Sequence, residues 1–128
     1  MFTPSIPLRT HATLPLSTDV IAPRPGHWFD AGAMADYTEG QPVRFQAGAI
    51  GAYLVRRAET VVGLSSVCTH LPCELQVKGG SQQLQCPCHD VAFDLDGTSI
   101  VPGDSYPLAS LPRLQVRVIN GRVLVLGA

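Results

Sequence analysis

The sequence predicts an all-β fold, a small antiparallel sandwich or barrel, and three observations predict it. No stretch of the 128 residues holds a helical hydrophobic period over ten or more positions. Glycine (12) and proline (11) together make close to a fifth of the chain, which suits short strands joined by many turns rather than a helical bundle. The C-terminus alternates apolar and polar residues through Leu114, Val116 and Val118, turns at Asn120-Gly121, and returns apolar over Val123–Leu126. An Asn-Gly pair supplies the positive φ angles of a type I′ turn, so a hairpin is expected there.

Taken in order, residues 1–26 stand apart as a proline-rich arm or linker. They hold five of the eleven prolines (Pro4, Pro7, Pro15, Pro23 and Pro25) and no sustained period. A disordered tail and an arm packed on the domain fit this composition equally. From Trp28 the chain becomes strand-like. Val43–Ala47 and Ala52–Arg56 are short apolar or alternating runs separated by Gly48 and Gly51, as in a hairpin, and Val61–Val67 is a further strand candidate. Ala33–Tyr37 has room for one helical turn. Gly79-Gly80 and Asp96-Gly97 are turn signals. Residues 27–128 are therefore expected to form one domain, with two Cys/His segments projecting as loops from one end, in a subdomain of about residues 66–98.

Composition excludes several function classes. Hydrophobic residues make up 45% and charged residues 15%, enough apolar material for one core. The net charge of −1 comes with no basic cluster, which argues against nucleic acid and anionic membrane surfaces as partners. Apolar runs are of strand length, short of the ~20 residues of a membrane helix. The N-terminus lacks the charged-then-apolar layout of a signal peptide. The expectation is a chain that is soluble as it stands or has an anchor or signal outside it.

All four cysteines fall in two boxes, Cys68-Thr69-His70-Leu71-Pro72-Cys73 and Cys86-Pro87-Cys88-His89, with two of the four histidines beside them. The clustering points to metal or redox chemistry. Two plain disulfides with incidental histidines remain the bland alternative. Zinc is a second alternative, since thiolate and imidazole suit it, although its usual ligand pairs are C-x2–4-C and H-x3–5-H. Here each box offers one thiolate and one imidazole, as C-x-H and C-x2-H, with fifteen residues between His70 and Cys86. Two such loops can place both thiolates on one iron and both imidazoles on another, the ligation of a Rieske centre. His11 and His27 lie outside the boxes and are expected at the surface.

The boxes C-T-H-L-P-C and C-P-C-H resemble the two cluster-binding loops of the Rieske family, and the likeness runs from about Trp28 to the C-terminus. The resemblance implies one Rieske-type 2Fe–2S cluster, with Cys68 and Cys86 on the inner iron and His70 and His89 on the outer one. It also implies a disulfide between Cys73 and Cys88, found in one branch of the family, and the count of four cysteines accommodates it. Oxygenase ferredoxins typically lack that second pair, so the chain looks more like the Rieske subunits of cytochrome bc-type quinol-oxidising complexes. In those relatives the second box commonly continues G-S-x-Y, with hydroxyls that donate to cluster sulfurs. The corresponding residues here are Asp90, Val91, Ala92 and Phe93, and Val91 and Phe93 have no hydroxyl. Leu71 matches an apolar residue that shields the cluster. Pro72 departs from the usual glycine. Val101–Leu108, with Pro102, resembles the proline loop that covers the cluster.

These likenesses imply one-electron transfer, as a subunit of a larger oxidoreductase rather than an enzyme on its own. The expected partners are redox proteins, a cytochrome or a quinol-oxidising respiratory or photosynthetic complex, with quinol itself at the exposed histidines. A soluble Rieske ferredoxin or a small redox subunit, as in an arsenite oxidase or an oxygenase, is the alternative. A zinc-stabilised binding module is a third reading. A bridged Rieske domain is expected on the extracytoplasmic, periplasmic side of a membrane, because disulfides persist outside the cytosol.

Overall fold

The computed structural model describes residues 19–69, 72–77, 82–88, 90–100 and 108–128. In chain order the strands are β1 (Val20–Ile21), β2 (His27–Ala33), β3 (Val43–Ala47), β4 (Ile50–Arg57), β5 (Thr60–Ser65), β6 (Gln76–Val77), β7 (Gln83–Cys86), β8 (Val91–Asp94), β9 (Ser99–Ile100), β10 (Arg113–Leu114), β11 (Val116–Ile119) and β12 (Arg122–Gly127). They form a five-stranded sheet in the order β1-β10-β5-β4-β3, a three-stranded sheet β11-β12-β2 and a four-stranded sheet β6-β7-β8-β9. Among the described residues, every pair of strands is antiparallel except β1 with β10. The fold is all-β, as the sequence predicts.

The terminal hairpin forms on the Asn120-Gly121 turn, whose φ angles are 51° and 75°. Val43–Ala47 pairs with a strand that begins at Ile50, so the β3–β4 turn is Gly48-Ala49 and Gly51 lies inside β4, opposite Gln46. Gly48 has φ 65°, and a Cβ there would run into the Ala128 carbonyl oxygen and the Phe29 ring. The helical turn expected within Ala33–Tyr37 is a 3-10 turn at Met34–Asp36. At Asp96-Gly97 the Asp94 carboxylate accepts from the Asp96 and Thr98 N–H groups (2.9 and 3.0 Å), a side-chain-built turn closed by Gly97 at φ 87°. The strand expected over Val61–Val67 ends at Ser65. Beyond it Val67 pairs with Glu74 in an isolated bridge rather than a strand, because the chain leaves the sheet to begin a loop. In the segment read as an arm, Val20–Ile21 adds an edge strand beside β10. Gly79 and Gly80 lie outside the described residues.

The five-stranded sheet separates two cores. One packs Tyr53, Val55 and Leu64 against Cys68, Leu75, Leu84, Cys86, Phe93, Leu95 and Leu111. The other packs Ala52, Leu54, Val61 and Leu114 against Met34, Tyr37, Ala47, Val123 and Val125. Side chains alternate faces along a strand, and here both faces are covered. β4 is therefore buried at Ala52, Tyr53, Leu54 and Val55 in succession. The Cys/His loops stand on the first of these cores.

Candidate metal centre

The first loop grows from the end of β5. Ser66 is fully buried and donates its N–H to the Gly51 carbonyl at 3.1 Å, while its own carbonyl accepts from the Leu75 N–H at 2.8 Å. Cys68 N–H donates to the Cys73 carbonyl at 3.0 Å. Residues 66–75 are thus pinched twice at their neck. Thr69 Oγ1 donates to the Ala109 carbonyl at 2.8 Å, tying the loop to the chain just beyond the proline-loop segment. Ser99 holds Leu108: its hydroxyl accepts from the Leu108 N–H (2.9 Å) and donates to the Leu108 carbonyl (3.0 Å).

The second loop is the connection of a tight hairpin. Cys86 closes β7 directly opposite Val91, which opens β8, so residues 87–90 span one turn. Pro87, Cys88 and Asp90 are exposed, whereas Cys86 faces inward. Cys68 and Cys86 are each 5% exposed and belong to the same apolar core. A disulfide joins Cys73 to Cys88, one cysteine from each loop. The sulfurs of Cys73, Cys86 and Cys88 all lie within 4.8 Å of one another, so the bridge packs against the Cys86 thiol.

A model of the Rieske [2Fe-2S] domain matches residues 27–112. The chain belongs to the Rieske family. A relative, the carotenoid phi-ring synthase of Chlorobaculum tepidum, is 37% identical over 78 residues, 61% of this chain but 11% of that protein. The cytochrome b6-f complex iron-sulfur subunit of Synechococcus sp. RCC307 is 34% identical over 100 residues, 74% of this chain and 54% of that one. This Rieske chain therefore spans about a tenth and about half the length of these two curated relatives. The crystal structure of the plasma membrane Rieske protein PetC3 from Synechocystis PCC 6803 superposes with a TM-score of 0.62 at 21% identity, over 76% of this chain and 97% of that one, a likeness of fold.

A Rieske domain implies a 2Fe–2S cluster, and the donor chemistry here fits it. The disulfide takes two of the four cysteines out of ligation, leaving Cys68 and Cys86 as buried thiols, one per loop. A zinc site of three or four thiolates does not fit that donor set. His70, Leu71, His89 and Pro102 lie outside the described residues. Of the remaining candidates, Val91 is half-buried against the core that holds Cys86, Phe93 is fully buried in it, and Asp90 is exposed. His27 is exposed at the start of β2.

Four residues that shape the first loop carry no signal in the sequence. Tyr53 donates its hydroxyl to the Leu75 carbonyl at 2.9 Å from within the loop-side core. Burial, then the nearby Glu74 carboxylate, hold its phenol above the usual tyrosine range, with Arg44 opposing. Arg44, Ser66 and Glu74 meet at the loop's neck. They are 8 to 30 residues apart in sequence, so only folding brings them together.

Proposed function

We propose that the chain carries one electron at a time as the iron–sulfur subunit or domain of a quinol-oxidising complex, with Cys68, His70, Cys86 and His89 holding the cluster. The observation that carries this reading is the disulfide between the two boxes, together with the b6-f subunits among the relatives. When bound, a Rieske cluster supplies a one-electron couple of higher potential than a plant-type ferredoxin, because neutral imidazoles replace two thiolates. Burial of Cys68 and Cys86 keeps water from the thiolates. The bridge and the Thr69 bond to Ala109 limit how far the loops move between oxidation states. Under this reading His70 and His89 each keep one ring nitrogen for a hydrogen bond to a quinol or an acceptor, and proton uptake there accompanies reduction. Residues 27–128 form the Rieske unit, and the disulfide supports an extracytoplasmic location.

A second reading, a small redox subunit of another oxidoreductase, is favoured by Val91 and Phe93, which offer no hydroxyl to a cluster sulfur, and by the phi-ring synthase among the relatives. Paramagnetic resonance of the reduced protein tests the ligand set. Wild type is expected to give the rhombic, low-g Rieske spectrum, and His70→Ala and His89→Ala to lose it. Retention of the spectrum in either variant removes that histidine from the set. Co-purification with a membrane b-type cytochrome in mild detergent separates the two partner readings; its absence sinks the first.

A further inference from the structure

The neck of the first loop holds a polar group that the cluster chemistry does not require. Glu74 follows Cys73 directly. Its Oε2 is 2.6 Å from Arg44 Nε, and its Oε1 accepts from Ser66 Oγ at 3.1 Å. Arg44 stands on edge strand β3 and is itself held: Nη1 donates to the Phe45 carbonyl and Nη2 to Gln46 Oε1, both at 2.8 Å. Gln46 Nε2 in turn donates to the Gly48 carbonyl at 2.9 Å. Gly51 makes the space. A Cβ there would collide with Ser66 Oγ and lie 2.6 Å from Arg44 Nη2. Tyr53, paired across the strands with Arg44, adds its bond to the Leu75 carbonyl.

An isolated ion pair between two side chains exposed to 36% and 49% would contribute little. This one differs because the same carboxylate also accepts from the hydroxyl of a fully buried serine. A charged acceptor on a buried donor makes a stronger bond, and removing it leaves that donor unsatisfied. The group ties β3 and β4 to the two ends of a loop carrying Cys68 and Cys73. Among the described residues, its side-chain hydrogen bonds stay within β3, β4 and the neck of the first loop.

We infer that Glu74 is a positioning residue: gripped by Arg44 and Ser66, it closes the neck of the Cys68–Cys73 loop and holds the half-buried Cys73 against the second loop. The inference rests on the reading of these two loops as the cluster's holders. Opening the neck loosens the loop locally, exposing the Cys73 side of the disulfide further to thiols and easing loss of the cluster, while the rest of the fold stays intact.

The test compares wild type, Glu74→Gln, Glu74→Ala and Gly51→Ala. In cluster-free protein, disulfide reduction by dithiothreitol is timed by alkylation and mass spectrometry. Loaded protein is followed for cluster loss by absorbance and for g-values by paramagnetic resonance, and the melting temperature is recorded throughout. Glu74→Ala is expected to speed disulfide reduction about tenfold, the scale of one charged hydrogen bond. Glu74→Gln, which keeps an acceptor for Ser66, falls between. Gly51→Ala reproduces Glu74→Ala without removing a polar group. An unchanged reduction rate in Glu74→Ala and Glu74→Gln overturns the inference. So does a rise no larger than the loss of global stability accounts for. The disulfide rate is read without the cluster, so its outcome stands apart from the ligand assignment, which the wild-type spectrum tests.

Discussion

Removing the bridge with Cys73→Ala/Cys88→Ala is the sharpest perturbation of the site that leaves the proposed ligands in place. The cysteines are 15 positions apart, and closing a loop of that size removes chain entropy worth about 3 kcal/mol at 25 °C. At roughly 4 °C per kcal/mol for a domain of this size, the melting temperature should fall by about 12 °C. Lost packing adds little, since Cys73 is only partly buried and Cys88 is exposed. The loss should be larger in cluster-free than in loaded protein, because a cluster shared by Cys68 and Cys86 joins the same two loops and has already removed part of that entropy. Urea unfolding of both forms, with linear extrapolation to water, measures the difference. A cluster-free double variant within about 0.5 kcal/mol of its parent would refute the reasoning, since the disulfide would then constrain nothing the native contacts leave open.

Three further predictions concern single positions. Ala58 sits at φ 56° in the β4–β5 turn, held by Glu39 Oε1 on its N–H (2.7 Å) and Arg56 Nε on its carbonyl (3.0 Å); Ala58→Gly should raise stability by about 0.5 kcal/mol, and unfolding that shows a loss would mean the turn bears no strain. Val91→Ser and Phe93→Tyr should each raise the reduction potential, together by something on the order of 100–200 mV, if their hydroxyls reach cluster sulfurs. Because Phe93 is fully buried, a tyrosine hydroxyl that finds no acceptor would instead cost about 1–3 kcal/mol of stability with the potential unmoved. Tyr53 and Tyr37 are both held above the ordinary tyrosine range by burial, so the folded state keeps their protons longer than the unfolded chain does. The stability they contribute is present below about pH 10 and is lost as pH rises through the folded values, so Tyr53→Phe should flatten the alkaline fall measured by denaturation across pH.

Much of this was legible where a residue has little choice. Asn120-Gly121 and Asp96-Gly97 mark turns because positive φ restricts the residues able to occupy them, and both hairpins form there. The Rieske loops were legible because their chemistry admits few residue types. Long-range pairing left no local mark. β2 joins β12, with Phe29 opposite Val125, and nothing near Phe29 points to a partner some hundred residues on. Gly51 reads as a turn glycine, yet it serves as empty space inside a strand, a role set by side chains from β3 and the first loop. Val61–Val67 reads as one strand because its apolar run continues, while the end at Ser65 is set by bonds from Ser66 to Gly51, Glu74 and Leu75.

The arrangement of the five-stranded sheet bears on how the loops can be tuned without disturbing the rest. Residues paired across β4 and β5 share a face, so Tyr53 with Leu64 and Val55 with Val62 form the floor beneath Cys68 and Cys86. Leu54 with Gly63 and Ala52 with Ser65 turn the other way, toward Leu114, Val123 and Val125. Gly63 is part of that division, for a Cβ there would press within 2.9 Å of the Val116 side chain. A change at one position of β4 therefore acts on the loop-side core, and a change at its neighbour acts on the other, though they are one residue apart. The floor is a strand buried on both faces and hydrogen-bonded on both edges, which leaves it little freedom to shift when charge changes above it. A fixed floor, a neck closed by Glu74 and a disulfide between the loops place the rigidity of this domain around Cys68 and Cys86, where, on the proposed ligation, a group that alternates between two charge states needs its donors held in one geometry.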